Sequence, residues 1–484
     1  MIEPYLLPET PVTSVTDWVA RGGGKGLARA YELGPDATIS EILDAKLRGR
    51  GGAGFPTGIK WRSLREAAHG DQCYIVCNGS EGEPGTFKDR TLLRANPYQL
   101  IEGMAIAAFA LGARAGFIGM KARYTEHTEL LLQALQDMEA AGLAGEVRLQ
   151  LVPGPDAYLF GEETALLQAV MGEAPTPRLV PPYIQGIFAT TPTFDWSALP
   201  PEELVEALSD DVYSLPAAGS GLASPTLVNN IETYSTACHI LREGADWFRS
   251  MGTDDTPGHA VITIVGDTTR QIVEEVDMGS TLRELLDGPC GGMANGRNFK
   301  AMLSGISNPV MTEEFLDVPL GFDSFRAAGS GIGSCGFMIY DDTTSAVELA
   351  HLCSRFLSVE SCGQCNACKT GTMAITEMIE SIIDGKGSMR TIDSIGSRLL
   401  RVTDSNRCFL PQQEQIVISS LLRTFPQDFL DAVDTQHVAI RGIPVPKLKD
   451  VVGGVADIDE HWELKRTDWT YADVGVTTGV YRTE

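Results

Sequence analysis

The apolar and polar positions of the chain change period along its length. Thr38–Leu47 sets Ile39, Ile42, Leu43 and Leu47 at helical spacing and predicts a helix. Cys73–Cys77 is a short apolar run, which predicts a buried strand. Leu100–Leu111 then predicts an apolar helix, Gly116–Met120 a strand, Thr125–Ala141 a helix and Val147–Val152 a strand. That alternation predicts an α/β domain on a largely parallel sheet. Residues 1–36 read as irregular, with glycines at Gly22, Gly23, Gly24 and Gly26. Pro175–Pro225 holds nine prolines and little periodicity, as a loop or an insertion does. Val261–Val265, Gln271–Val276, Thr281–Leu286 and Gly336–Ile339 predict short strands with one helix, and a helical run follows at Ser345–Leu357, Thr372–Ile383, Ile392–Val402 and Gln412–Leu422. The predicted organisation is an irregular segment over 1–36, an α/β domain over 37–250 with a Pro-rich insertion at about 188–224, a small mixed unit over 258–343, a helical unit over 345–435 and an extension over 436–484.

With 484 residues, two to four domains are expected. The 38 basic and 64 acidic residues leave a net charge of −26, a field that repels nucleic acid and anionic membrane surfaces. A dinucleotide would be repelled as well, so its site needs local cations, and Arg48, Arg50, Lys60 and Arg62 form one dense group. The apolar stretch near Met104–Gly116 is broken by Gly and Arg, so no membrane span is expected. Met1-Ile2-Glu3-Pro4 lacks a basic n-region, so no signal peptide is expected and the cytoplasm is the expected compartment. Of ten cysteines, Cys73, Cys77, Cys238, Cys290, Cys335 and Cys353 are scattered and are expected to be buried thiols.

The remaining four cysteines carry the strongest chemical signal. Cys362, Cys365 and Cys368 form C-x2-C-x2-C, and Cys408 follows 40 residues after Cys368. Three thiolates at this spacing wrap one corner of a [4Fe–4S] cluster and a remote fourth closes it. Zinc and purely structural thiols are the alternatives. A second signal is the glycine-rich string Arg48–Trp61. Its glycines let backbone N–H groups approach phosphate, and Arg50 and Lys60 would neutralise it. Gly49–Gly54 matches G-x-G-x-x-G, but a helix rather than a strand is predicted before it. Gly331–Gly336 matches too, but precedes a strand, so neither is read as a Rossmann fingerprint. The bland reading of the first loop is a surface turn.

Three further strings are ambiguous alone. Asn78–Arg90 follows a predicted strand and reads as a ligand-binding loop or as a solvated acidic turn. Tyr158–Thr164 places Glu162 and Glu163 at a helix start, where carboxylates are often caps. Val228–Thr233 carries Asn229 and Asn230, also cap-like.

Taken in order, the five strings resemble the NADH-binding flavoprotein subunits of respiratory complex I. The diaphorase subunits of NAD-dependent formate dehydrogenases, NAD-reducing hydrogenases and electron-bifurcating reductases are similar. The resemblance covers roughly residues 20–425 outside the insertion. It implies an α/β flavin/NADH-binding domain, then a small β-grasp domain and a C-terminal helical bundle carrying the cluster. It implies FMN, a [4Fe–4S] cluster and NAD(H) as cofactors. Gly49, Gly51, Gly52, Lys60, Asn78, Asn229, Asn230 and Thr233 correspond to the flavin cradle, and Arg50, Ser80, Glu81 and Gly161 are further cofactor-binding candidates. Phe55, Glu83, Glu162 and Glu163 correspond to the dinucleotide side, with Glu83 and Glu163 nearest the chemistry. Cys362, Cys365, Cys368 and Cys408 correspond to the cluster ligands. The implied partners are NADH/NAD+, a [2Fe–2S] thioredoxin-like subunit, and an iron–sulfur or catalytic subunit.

Departures from the family pattern occur at Gly79-Ser80, where Ala-Asp is common, and at Ser63, where an aromatic is common. Phe160 stands for a usual Cys, and Asn406–Pro411 departs around the fourth ligand. The expected function is hydride exchange between NADH and FMN, followed by one-electron transfer to the cluster. The insertion and the lack of fused ferredoxin-type cysteine arrays favour a soluble formate dehydrogenase, hydrogenase or bifurcating reductase as parent. Complex I and a non-catalytic electron relay are the alternatives.

Overall fold

The computed structural model describes residues 4–68, 72–188 and 224–471. Four strands form the first sheet: β1 (Tyr74–Gly79), β2 (Ala115–Lys121), β3 (Arg148–Gly154) and β4 (Thr226–Asn230), in the order β3-β2-β1-β4. All three pairings are parallel, as the strand–helix alternation predicts. Helices cover the sheet, and Pro97–Leu111 is buried almost throughout its length. It packs against the Ile231–Glu243 helix so closely that a Cβ at Gly103 would strike the Tyr234 carbonyl. Burying this apolar helix contributes heavily to the stability of the domain.

The segment expected to be irregular is in good part helical. Helices Val15–Ala20 and Lys25–Leu33 lie within it. The glycines that suggest a loop form the tight turn between these helices, which the buried Glu102 carboxylate fastens. Glu102 accepts from Trp18 Nε1 (3.0 Å), Gly24 N (2.7 Å) and Leu27 N (3.1 Å). Much of the Pro-rich insertion lies outside the described residues, as does 472–484 of the extension.

The second sheet is mixed: β5 (His259–Gly266), β6 (Ile272–Asp277), β7 (Phe299–Ser304) and β8 (Gly336–Asp341), ordered β6-β5-β8-β7. Its central pair β5 and β8 is parallel and both outer pairings are antiparallel. With the Leu282–Asp287 helix, whose Thr281/Glu284 capping box is complete, this is the β-grasp arrangement. Five helices follow, from Ala346–Glu360 to Pro426–Thr435. Their shared core includes Leu349, Phe356, Ile375, Ile379, Val417 and Leu421. The extension then returns along the other units and forms the antiparallel hairpin β9 (Leu448–Val452) and β10 (Val455–Ile458). Among the described residues no helix is long and apolar enough to cross a membrane.

Candidate functional site

The glycine string joins two helices, Pro35–Asp44 and Thr57–Ala68, so no strand feeds it. Its ends are pinched together: Gly49 N–H donates to Phe55 O (2.9 Å) and Thr57 N–H to Leu47 O (2.8 Å). Gly52 (φ +125°) and Gly54 (φ +64°) hold left-handed backbone, and a Cβ at Gly54 would meet the Phe322 ring. Between the pinched ends, Gly51 and Gly52 face a cavity of about 530 Å³.

Arg50 does not neutralise a phosphate there. Its guanidinium is buried and donates to the carbonyls of Pro257 (3.1 Å) and His259 (3.0 Å), tying the glycine loop to the second sheet. Its backbone N–H is also engaged, donating to Thr233 Oγ1 (2.9 Å), so the neighbouring glycine backbone is what this loop offers a ligand. The reason is topological. The loop leaves a helix and crosses the start of β5, where the Pro257 and His259 carbonyls lie within reach of the side chain.

The carboxyl ends of the parallel strands supply the facing wall. Asn78 ends β1 and donates to Gly161 O (2.8 Å), while Ser80 Oγ donates to Asn78 Oδ1 (2.7 Å). Glu81 is fixed by Arg90 (2.6 Å), whose charge holds this carboxyl below its usual range. Glu83 accepts from Tyr158 Oη (2.6 Å) and Ile306 N (2.6 Å), and burial raises its pKa. Glu162 caps the Glu163–Val170 helix through Ala165 N (2.8 Å), and burial raises its pKa too. Asn230 caps the Ile231–Glu243 helix, accepts from Lys88 (2.8 Å) and donates to Asp89 (2.7 Å). Lys88 also pairs with Glu232 (2.9 Å).

The cavity thus gathers Gly51, Gly52, Asn78, Ser80, Glu81, Glu83, Gly161, Glu162 and Asn230 of the expected residues. Gly49, Arg50, Phe55, Lys60, Glu163, Asn229 and Thr233 stand behind or beside it. Lys60 is paired with Glu163 and donates to Val228 O (2.8 Å), so in this state each quenches the other's charge. In the orientation that satisfies its neighbours, the Asn229 amide accepts from Trp61 Nε1 (2.9 Å).

Residue-by-residue reading misses the opposite wall. Ser330–Ser334, with Asn308 and Phe322, closes the cavity from the β-grasp side. Its signal in the sequence is the Gly331–Gly336 match, which fails the Rossmann test because no helix follows it. Ser334 Oγ, on this wall, is buried without a hydrogen-bond partner, so it is a donor and acceptor available to a ligand.

The last wall is Cys408, Phe409, Leu410 and Gln413. Cys408 precedes the Leu410–Thr424 helix, and Cys365 caps the Asn366–Ile383 helix, with Cys368 in its first turn. Helix N-termini favour the thiolate form and the negative charge of a thiolate-ligated cluster. Charge reaches between Cys368 and the Cys362, Cys365 and Cys408 thiols, although among the described residues no three Cys, His, Asp or Glu side chains are drawn in to metal-holding distance. The charges of Cys365 and Cys362 add to burial in raising Cys368 to about 11. Burial, then the charges of Glu162, Cys368 and Cys362, raise Cys408 to about 12. Lys369 Nζ donates to the Ser358 (3.0 Å) and Ser361 (2.8 Å) carbonyls beside the motif. The six scattered cysteines are all buried.

Known proteins match along this architecture. Residues 42–195 match the family model described as the Nuo51 FMN-binding domain, and 348–432 match the NADH-ubiquinone oxidoreductase-F iron-sulfur binding region. The second of the NADH-quinone oxidoreductase F subunits of Rhizobium meliloti is 33% identical, over 90% of this chain and 99% of its own. The HndC subunit of the NADP-reducing hydrogenase of Solidesulfovibrio fructosivorans is 32% identical, over 87% of this chain and 81% of its own. A solved chain of an NAD+-reducing [NiFe]-hydrogenase superposes with a TM-score of 0.71 at 28% identity, covering 90% of this chain and 68% of that one. The chain belongs to the family of NADH-quinone oxidoreductase F subunits, with its FMN-binding and [4Fe–4S]-binding regions in family order.

Proposed function

We propose that this chain is the NAD(H):FMN oxidoreductase subunit of a multi-subunit redox enzyme, taking hydride from NADH and passing electrons singly to its own [4Fe–4S] cluster. One observation carries the reading. The glycine loop, the Glu83 loop and the Cys408–Leu410 turn wall a single cavity, so a flavin held there lies against a cluster ligand. The residues fit that flavin: glycine backbone on one face, an unpartnered Ser334 hydroxyl opposite, and a volume in the range of small-molecule sites. Bound FMN would supply the two-electron to one-electron conversion.

The chain's own residues supply placement. Asn78 and Asn230 orient amides at the strand ends. Glu83 presents a carboxylate oriented by Tyr158, suited to a ribose diol, and Glu163 holds Lys60 beside the cavity. Leu410 is buried and lines the cavity beside Cys408, so it would keep water from the side of a bound flavin that faces this thiol. Cys362, Cys365, Cys368 and Cys408 would hold the iron.

Both respiratory and hydrogenase-type subunits are among the relatives, which supports the assignment at the level of the subunit. A soluble formate dehydrogenase, hydrogenase or bifurcating reductase is the proposed parent, with a [2Fe–2S] thioredoxin-like subunit and an iron–sulfur or catalytic subunit as partners and the cytoplasm as compartment. Anaerobic NADH added to the FMN- and iron-replete chain should bleach the flavin absorbance and support turnover with artificial acceptors. A replete chain whose flavin stays oxidised under NADH or NADPH is an electron relay and not a dehydrogenase subunit.

A further inference from the structure

Behind the Glu83 loop, away from the large cavity, the C-terminal extension buries an amine. Lys447 is 7% exposed, and its Nζ donates to the carbonyl of Gly82 (2.7 Å). The preceding residue, Pro446, accepts from Gly85 N–H (2.8 Å), so the extension grips the loop on both sides of Glu83. Lys447 adjoins a second void of about 10 Å³, room for about one water, whose lining includes Glu83, Asp156 and Asp459.

The charges around Lys447 come from every packed element, and each already has a partner. From β2, Lys121 pairs with Asp156 (2.7 Å), and Arg123 just beyond it pairs with Asp156 and Asp459. On the loop, Arg90 pairs with Glu81 (2.6 Å), while Glu83 accepts from Tyr158 and Ile306. Glu360, at the end of the Ala346–Glu360 helix, pairs with Lys465 of the extension (2.9 Å). Among the described residues Lys447 makes no ion pair; the Gly82 carbonyl and the face of the Phe356 ring, 5.9 Å away, are what its amine meets. A buried ammonium without a carboxylate partner is costly, and the neutral amine is the cheaper form.

We propose that Lys447, with the water-sized void behind Glu83, is a proton-loading site that gains a proton when the neighbouring cavity gains negative charge. This rests on the cavity being the flavin site. Hydride brings two electrons and one proton, leaving the cavity one negative charge richer. One proton from solvent then forms an N–H bond on the Lys447 amine, converting NH2 to NH3+. That proton returns to solvent as the electrons leave for the cluster. Burial, reinforced by Lys121, brings the Lys447 pKa down to about 7, where such a change can follow the charge next door.

The test counts protons. The full chain, replete in FMN and iron, is reduced by NADH at pH 8 in weak buffer with an indicator dye. Wild type should take up close to one proton per flavin more than Lys447→Met. The excess should vanish at pH 6 and in Lys447→Arg, which is charged throughout. Equal uptake in all three at pH 8 overturns the proposal. If NADH does not reduce the flavin, the dehydrogenase reading fails, and photochemical reduction of the same samples still decides the role of Lys447. If Lys447→Met does not hold flavin, unfolding of the flavin-free proteins decides it. An amine with a depressed folded pKa leaves the unfolded chain binding more protons between about 7 and 10.4, so wild type must gain stability over Lys447→Met as pH rises through that window. Parallel curves for the two proteins overturn the proposal.

Discussion

The cluster end and the nucleotide end of this chain gather their residues in different ways. Three of the four thiols come from one short string, Cys362–Cys368, and the fourth from the turn before the Leu410–Thr424 helix. The cavity draws on seven separated segments, from Gly51 to Gln413, and no two of them adjoin in sequence. A local site is readable from spacing because its chemistry lies within one turn of chain. A dispersed site is set by what the fold places opposite each loop, and Arg50 shows the consequence. Its type and position suggest phosphate, yet the Pro257 carbonyl just before β5 and the His259 carbonyl at its start accept from it, and it turns away.

The largest expected effect tests the independence of the two ends. Cys365→Ser removes a cluster ligand and should cost most of the iron, while FMN binding persists because no cavity wall is formed by Cys365. Iron content and flavin absorbance on the same sample check it, and iron at the wild-type level would overturn the ligand assignment. The converse is Gly51→Val. A Cβ there meets only Asn230 Cβ at 3.4 Å, so the fold should survive, but the side chain enters the cavity. The product should hold iron and lack flavin, and stoichiometric FMN in it would remove the glycine loop from the site.

Within the cavity, Glu83→Ala should raise KM for NADH about tenfold, roughly 1.4 kcal/mol, with a smaller fall in kcat. A ribose contact serves ground and transition states alike, which is why KM carries the loss. Tyr158→Phe is the sharper companion. It keeps the carboxylate but removes the hydroxyl that orients it, so its effect should be smaller and in the same direction. Steady-state kinetics with an artificial acceptor separate the two, and a kcat-only loss in Glu83→Ala would place Glu83 at the chemistry rather than at the ribose.

What is legible in the sequence follows from the range over which each residue acts. The parallel sheet, the β-grasp unit and the helical run are readable from period and from resemblance, because period reports burial along one element. The two N-terminal helices are not, since the turn between them is glycine-rich and its stability comes from Glu102, far along the chain. Tyr158 and Lys447 escape for the same reason, since each acts on Glu83 or its loop across a long sequence gap. Gly331–Gly336 is visible as a glycine pattern, but its role is not. A strand before and a helix after are the right test for a Rossmann loop and have no bearing on a wall formed between two domains.

The prediction with the smallest effect on the cavity concerns a carboxyl placed among the helices that carry the thiols. Glu414 is fully buried; one oxygen accepts from Ser354 Oγ (2.7 Å) and the other has no partner. Burial raises its pKa to about 8. Because the folded pKa lies above the unfolded value of about 4.3, the folded state binds more protons between those limits. Stability contributed by the protonated carboxyl is therefore complete below about pH 4.3 and is lost as pH rises toward 8, by at most about 1.4 kcal/mol per pH unit. Glu414→Gln keeps the shape and the hydrogen bond to Ser354 but cannot ionise. It should match wild type near pH 4 and exceed it near pH 8 in urea unfolding, with flavin content unchanged at both. A constant difference between the two proteins across that range would mean that Glu414 does not ionise on unfolding as this burial requires.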